Sequence, residues 1–302
     1  MTPAAATTAA PAVRPASSVR QVVSDYVELT KPKVQSLLLL TTITTMEVAG
    51  SPSLSRIALT CLGGYLSAGG AGAVNHYWDR DIDAQMSRTA NRPIPAGRIA
   101  PRAGLIFGLV LSALSFALLS LTVNVLAGSL ALGGFAGYVG VYTIWLKRRT
   151  PQNIVIGGAA GAIPPLVGWA ATTGSLSWTA IYLFAIVFYW TPPHFWALSL
   201  LMKGEYEKVG VPMMPVVRGE RETRKQILLY SLLLYAMTQL PFCAGAFGGI
   251  YLVASMVLGL AFIGGAVLLY RRADRRSALR LYLYSLLYLA LLFGAMVIDI
   301  KL

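Results

Sequence analysis

The sequence predicts an all-α polytopic membrane protein with nine transmembrane helices, and three observations carry that prediction. Apolar residues make up 56% of the 302 positions and charged residues only 12%, a balance foreign to ordinary soluble domains. The apolar residues fall into nine stretches, most of them close to the ~20 residues that a helix needs to cross the hydrocarbon core. Of the 25 Lys and Arg residues, 23 lie in alternate connections, as cytoplasmic loops require.

In chain order, residues 1–24 form an Ala-, Pro-, Thr- and Ser-rich stretch with Pro3, Pro11 and Pro15. It cannot bury a core and is expected to be a disordered cytoplasmic tail ahead of a single domain over 25–302. With Arg14, Arg20 and no early acid it faintly resembles a mitochondrial presequence, but its prolines spoil an amphipathic helix. The expected spans are 34–50, 54–76, 103–121, 124–145, 153–172, 177–202, 226–246, 249–270 and 278–298. The first and fifth are the shortest or the most interrupted by Gly and Pro. The proline pairs Pro164-Pro165 and Pro192-Pro193 should kink spans five and six.

The basic residues sit in the N-terminal segment and after spans two, four, six and eight; only Arg56 and Lys301 fall on the other side. This predicts a cytoplasmic N-terminus, an outer C-terminus and a multi-pass location in the lipid bilayer of the plasma membrane rather than the mitochondrial inner membrane. The net charge of +13 therefore sets topology and implies no nucleic-acid partner. Cys61 and Cys243 lie in apolar segments and offer neither a disulfide framework nor zinc spacing.

The chemistry concentrates in NHYWDRDIDAQMSRTANRPIP, Asn75 to Pro95. If the second helix runs on, Asn75, Asp79 and Asp83 fall at i, i+4 and i+8 on one face. Oxygen ligands without Cys or His favour Mg²⁺. Arg88 and Arg92 follow at once and suit bidentate contact with phosphate. Loosely paired charges at a helix end are the plainer alternative, but charges at a membrane boundary are costly and usually functional. The loop LKRRTPQN adds Lys147, Arg148 and Arg149 beside Asn153, which either set topology or help hold a diphosphate.

The connections 79–102 and 203–225 share a Pro/Gly pattern, Pro93, Pro95 and Gly97 against Pro212, Pro215 and Gly219. Each follows an even-numbered span, which suggests a parallel internal duplication. Span six is crowded with aromatic residues, among them Trp190, Phe195 and Trp196. They are read equally well as lipid contact or as a wall for a carbocation or a flat ligand.

Together LTKPKV (Leu29 to Val34), NHYWDRDIDAQMSRTANRPIPAG, YTIWLKRRTPQNIVIGGAAGAIPPLVGW, PPHFWAL and GVPMMPV resemble the UbiA superfamily of intramembrane prenyltransferases over nearly all the chain after residue 24. The last two pieces resemble its haem-prenylating branch. The resemblance implies helices around a central cavity, Mg²⁺ as cofactor, farnesyl diphosphate as donor and haem B as acceptor. It also implies a haem-handling partner such as haem A synthase. On that reading Asp79 and Asp83 hold the metal with Asn75, Arg88 and Arg92 act on the leaving group, and Lys31 joins Lys147, Arg148 and Asn153 in binding it. His194 and Trp196 would receive the acceptor, with His194 as a ligand or orienting group for the haem. Many members carry a second Asp-x-x-x-Asp set after span six; here Glu205 and Tyr206 stand in that region and would bind substrate, Glu205 keeping a carboxylate but moving it by one methylene.

Two rivals use the same residues. Prenyl transfer to an aromatic quinone precursor fits the scaffold but not PHFW and GVPM. A secondary transporter would place its binding groups near the midplane, often between inverted repeats; here they gather at one end and the apparent repeat is parallel.

Overall fold

The computed structural model describes residues 18–302. Of the expected tail, residues 1–17 lie outside the described residues, while 19–24 are helical. They belong to α1 (Val19–Leu29), whose Ser18 side chain caps it by accepting from the Gln21 amide. The helix is anchored because Asp25, buried, takes a hydrogen bond from Arg98 at 2.9 Å. A charge network invisible to local composition thus moves the boundary of the folded part toward the N-terminus.

The chain then runs α2 (Pro32–Ala49), α3 (Leu54–Trp78), the short α4 (Arg80–Asp83), α5 (Pro101–Thr122) and α6 (Val125–Ala136). It continues as a π-helix over Gly137–Leu146, then α7 (Asn153–Gly161), α8 (Ile163–Thr173), α9 (Trp178–Leu201), short α10 (Lys203–Lys208) and α11 (Met214–Val217). The last three are α12 (Gly219–Cys243), α13 (Gly249–Arg272) and α14 (Arg275–Lys301). Taking α6 with its π extension and α7 with α8, the nine expected spans each coincide with one rod. Seven of these are long and apolar enough to cross a membrane. The other two, α2 and α9, are diluted by threonines in one and by Trp, Pro and His in the other. Sequential neighbours pack as α3 on α5, α12 on α13 and α13 on α14, and α2 closes the bundle by packing on α3, α8 and α14.

The two proline pairs behave differently. Span five breaks at Ala162, with Pro164 and Pro165 in the first turn of α8, where a missing N–H costs nothing. Helix α9 instead continues unbroken through Pro192 and Pro193. Its neighbour α14 holds this region: Trp190 Nε1 donates to the Ser285 carbonyl at 2.7 Å. Tertiary contacts of this kind let a membrane helix tolerate lost backbone donors.

The glycines of GGYLSAGGAGA allow α3 to meet its neighbours at backbone distance. A Cβ on Gly70 would stand 2.6 Å from the Gly108 carbonyl oxygen of α5, and one on Gly72 would stand 3.0 Å from the Leu29 carbonyl. Gly70→Val should therefore destabilise the protein by about 1–3 kcal/mol, the usual cost of overpacking. A thermal unfolding midpoint in detergent equal to that of the parent would contradict this close crossing.

Connections on one side of the bundle meet. The Ser87 amide donates to Glu205 Oε2 at 2.7 Å, Arg98 reaches Asp25, Lys147 reaches Asp79, and Arg275 donates to the Leu201 carbonyl at 2.9 Å. At the other end Lys301 pairs with Glu47 at 3.0 Å. All five basic segments thus share one end.

Candidate active site

Helix α3 stops at Trp78, and Asp79 leaves helical geometry with φ −89° and ψ 7°. The expected stripe nevertheless persists, because the Asp79 amide still bonds to the Asn75 carbonyl at 2.9 Å and the Asp83 amide to the Asp79 carbonyl at 2.8 Å. Asn75, Asp79 and Asp83 are all buried, with Asp79 only 1% exposed. Buried carboxylates call for partners, and cations surround these.

Asp79 is the centre of that arrangement. Its Oδ2 accepts from Asn75 Nδ2 at 2.6 Å and from Lys147 Nζ, while Arg148 Nη2 stands 3.5 Å from Oδ1. Asn75 Oδ1 accepts from Lys31 Nζ at 2.6 Å, and Asn75 Nδ2 also reaches Thr143 Oγ1 at 3.2 Å. Asp83 pairs with Arg92 at 2.6 Å. Lys31 itself sits at φ 54°, a left-handed conformation rare for a side-chain-bearing residue. Burial pushes its ammonium down to about 7, and the charges of Arg92 and Lys147 push the same way, against Asp79 and Asp83. Four cations from three separate connections thus converge on two carboxylates and an amide.

Some expected members stand apart. Arg88 is exposed and, among the described residues, touches neither carboxylate. Asn153 is fully buried at the start of α7; its Nδ2 donates to the Thr150 carbonyl at 2.6 Å and its Oδ1 has no partner. Glu205 accepts from Ser87 and stands 4.0 Å from Lys208, so it ties the two long connections together. Tyr206 packs at the edge of the main core beside these residues. Trp196 is buried edge-on against Tyr230, with ring centroids 5.2 Å apart. The aromatic residues around His194 pack on one another: its ring stacks between Trp190 at 4.3 Å and Tyr282 at 4.8 Å. Its Nδ1 lies 2.7 Å from Ser285 Oγ.

Several participants were missed by sequence reasoning. Thr143 and Tyr138 lie on the π-helical stretch, where i→i+5 bonding brings residues five apart toward one side. Tyr138 Oη is 3.5 Å from Lys31 Nζ, and Lys147 follows five residues after Tyr142, whose carbonyl its amide bonds at 2.9 Å. Asp81, between the two stripe aspartates in sequence, accepts from Arg148 at 2.6 and 2.7 Å. This hydrogen bonding holds the Asp81 carboxyl below its ordinary range. Among the described residues neither ring nitrogen of buried His76 has a hydrogen-bond partner. Only the Asn-His adjacency at 75–76 hinted at it.

The pattern has a counterpart among known proteins. The UbiA prenyltransferase family model matches residues 37–292. The chain belongs to the UbiA prenyltransferase family. Within that family, the protoheme IX farnesyltransferase of Chloroflexus aurantiacus is 56% identical over 97% of this chain and 50% of its own length. The protoheme IX farnesyltransferase of Symbiobacterium thermophilum is 55% identical over 93% of this chain and 95% of its own. The chain therefore spans about half the length of the first of these relatives and nearly all of the second. A structure of a UbiA homolog from Archaeoglobus fulgidus bound to DMAPP and Mg²⁺ shares the fold, with a TM-score of 0.69 at 17% identity over 90% of this chain and 99% of that one. UbiA membership and the multi-span architecture agree with the expectations from sequence.

Proposed function

We propose that this prenyltransferase moves a farnesyl group from farnesyl diphosphate to a vinyl group of haem B, giving haem O. The observation that carries the reading is the buried Asn75–Asp79–Asp83 set ringed by Lys31, Arg92, Lys147 and Arg148. The likeness to the Symbiobacterium protein along almost its whole length supports the choice of acceptor.

The donor set suits Mg²⁺. It offers hard oxygen ligands, and Asp79 Oδ1 is buried without a hydrogen bond. Among the described residues no cluster of three or more His, Cys, Asp or Glu side chains forms, which fits a cation that takes its remaining ligands from a diphosphate. Asp79 and Asp83 would hold it, with the Asn75 carbonyl oxygen beside them. When bound, such an ion neutralises charge on the leaving diphosphate.

The chain's own residues carry the rest. Lys31, Lys147, Arg148 and Arg92 are fixed before the reaction. Cations so placed stabilise charge that develops as the allylic C–O bond breaks, more than they stabilise the ground state. The vinyl group attacks the farnesyl cation as diphosphate departs, and water adds to the resulting carbocation and gives up a proton to the released diphosphate, completing the hydroxyethylfarnesyl side chain, so no protein nucleophile is called for. Asp81 acts at one remove: its paired oxygens hold the Arg148 guanidinium near Asp79.

On this reading His194 would meet the haem. Ser285 Oγ lies 2.6 Å from the Tyr282 carbonyl and 2.7 Å from His194 Nδ1; in the arrangement that would serve haem binding its hydroxyl goes to the carbonyl and its oxygen accepts from Nδ1–H. That leaves the lone pair on Nε2, the tautomer required of an iron ligand. Ser285→Ala should weaken haem binding by about 10–100-fold, the usual effect of losing such a supporting hydrogen bond. Unchanged haem titration in that variant would remove Ser285 from this role. A haem-handling protein, haem A synthase among them, would then take up the product.

The whole reading is tested by giving purified protein haem B, farnesyl diphosphate and Mg²⁺. A new haem bearing the hydroxyethylfarnesyl mass supports it; recovery of unmodified haem with a prenylated quinone precursor would replace it.

We also infer that the end carrying the site faces the cytoplasm of a plasma membrane, because the basic segments meet there. Cysteines at Ser87 and Glu207, in a background lacking Cys61 and Cys243, should resist an impermeant thiol reagent added outside intact cells. Gly219 is unsuited to this test because its φ of 80° strains any side-chain-bearing residue. Labelling of both cysteines from outside would reverse the orientation.

A further inference from the structure

Away from the candidate active site, a second group of three cations outnumbers the single acid beside it, Glu222. A depression of about 490 Å³ is lined by Arg218, Arg221, Glu222, Lys225 and Tyr270. The first four occupy i, i+3, i+4 and i+7 at the start of α12, so they share a face. Tyr270 comes from the last turn of α13, which packs on α12.

Neighbouring acids are engaged elsewhere. Glu220 pairs with Lys203 at 3.3 Å and Arg224 at 3.5 Å, and Glu222 accepts from Gln226 at 2.8 Å. Arg218, Arg221 and Lys225 are exposed and, among the described residues, enter no ion pair. Arg221 and Lys225 stand four residues apart, a like-charge spacing that is unfavourable without a counter-anion.

The same face continues down the helix as exposed leucines. Leu229, Leu232 and Leu233, at four, seven and eight residues beyond Lys225, are 43%, 45% and 47% exposed. A cationic head above an apolar stripe has the shape of a phospholipid, with the phosphate at the level where Tyr and Arg side chains line a membrane interface. We propose that this face binds the phosphate of an anionic phospholipid, with the acyl chains lying along Leu229, Leu232 and Leu233. The shared chemistry, recognition of a phosphate by three cations, would equally hold a soluble phosphate; the leucine stripe selects the lipid. The inference is independent of the reaction proposed above.

The experiment uses the full chain in detergent with added dioleoylphosphatidylglycerol, dioleoylphosphatidylcholine or inorganic phosphate, and counts retained lipid by native mass spectrometry. The parent should retain phosphatidylglycerol in preference to phosphatidylcholine. R218Q/R221Q/K225Q should lose that preference by about 100-fold, taking each basic residue at its usual contribution at a membrane surface. Glu222→Gln, which alters the same face without removing a cation, should retain phosphatidylglycerol at least as well as the parent and so separates lost binding from lost folding. Equal retention of phosphatidylglycerol by the parent and the triple variant would overturn the site. Full displacement of the lipid by inorganic phosphate at equal concentration would overturn the lipid assignment in favour of a soluble anion.

Discussion

Asp79→Asn should lower turnover by about 10³-fold or more, close to 4 kcal/mol of transition-state stabilisation at about 1.4 kcal/mol per tenfold. Asparagine keeps the shape and most of the hydrogen bonding of the native side chain, so folding is spared while the charge is lost. Without that charge, Lys147 loses its close partner and Arg148 the more buried of its two carboxylates. The metal-holding oxygen disappears with it. Asp81→Asn should cost less, because Asp81 is 56% exposed and acts only by holding Arg148. Steady-state rates with farnesyl diphosphate and haem B, at matched folded fractions, decide this. Parent-like turnover in Asp79→Asn at ordinary Mg²⁺ would remove Asp79 from the chemistry.

His194→Ala should weaken haem binding by about 100-fold or more and move the Soret band, while farnesyl diphosphate binding stays close to that of the parent. The loss should exceed that expected of Ser285→Ala because it would remove the proposed ligand itself rather than a group that supports it. Since His194 is stacked between Trp190 and Tyr282, alanine also leaves a gap, and His194→Gln serves as a better-filled control. An unchanged Soret spectrum in both variants, with normal haem affinity, would make His194 a packing residue that joins α9 to α14.

Much of the site was legible because it depends on local spacing. Asn75, Asp79 and Asp83 recur every four residues, and the backbone bonds between them survive the end of α3. Lys147 and Arg148 were legible as charges, but not as partners of Asp79 and Asp81, since more than sixty residues separate each pair. Thr143 and Tyr138 were illegible for another reason. Reading the stretch as an ordinary α-helix places them on different faces, and only the π-helical register brings both toward Asn75 and Lys31. Glu205 had the residue type of a ligand, yet its position next to the Ser87 amide makes it a tie between two connections.

From the sequence alone came the class of protein, the order and approximate limits of its spans and the side of the bundle that carries charge. Those follow from hydrophobic length and from the cost of moving charge into lipid, both of which act residue by residue. Tertiary structure decided which cation neutralises which carboxylate, that Pro192 and Pro193 leave α9 continuous, that α1 is tied down by Asp25 and Arg98, and that His194 meets Ser285 of α14. Each of these is an energy between groups distant in the chain, where desolvation is repaid only by a partner at hydrogen-bonding distance. Periodicity measures exposure to lipid and water; it carries no information about such partners until the helices have packed.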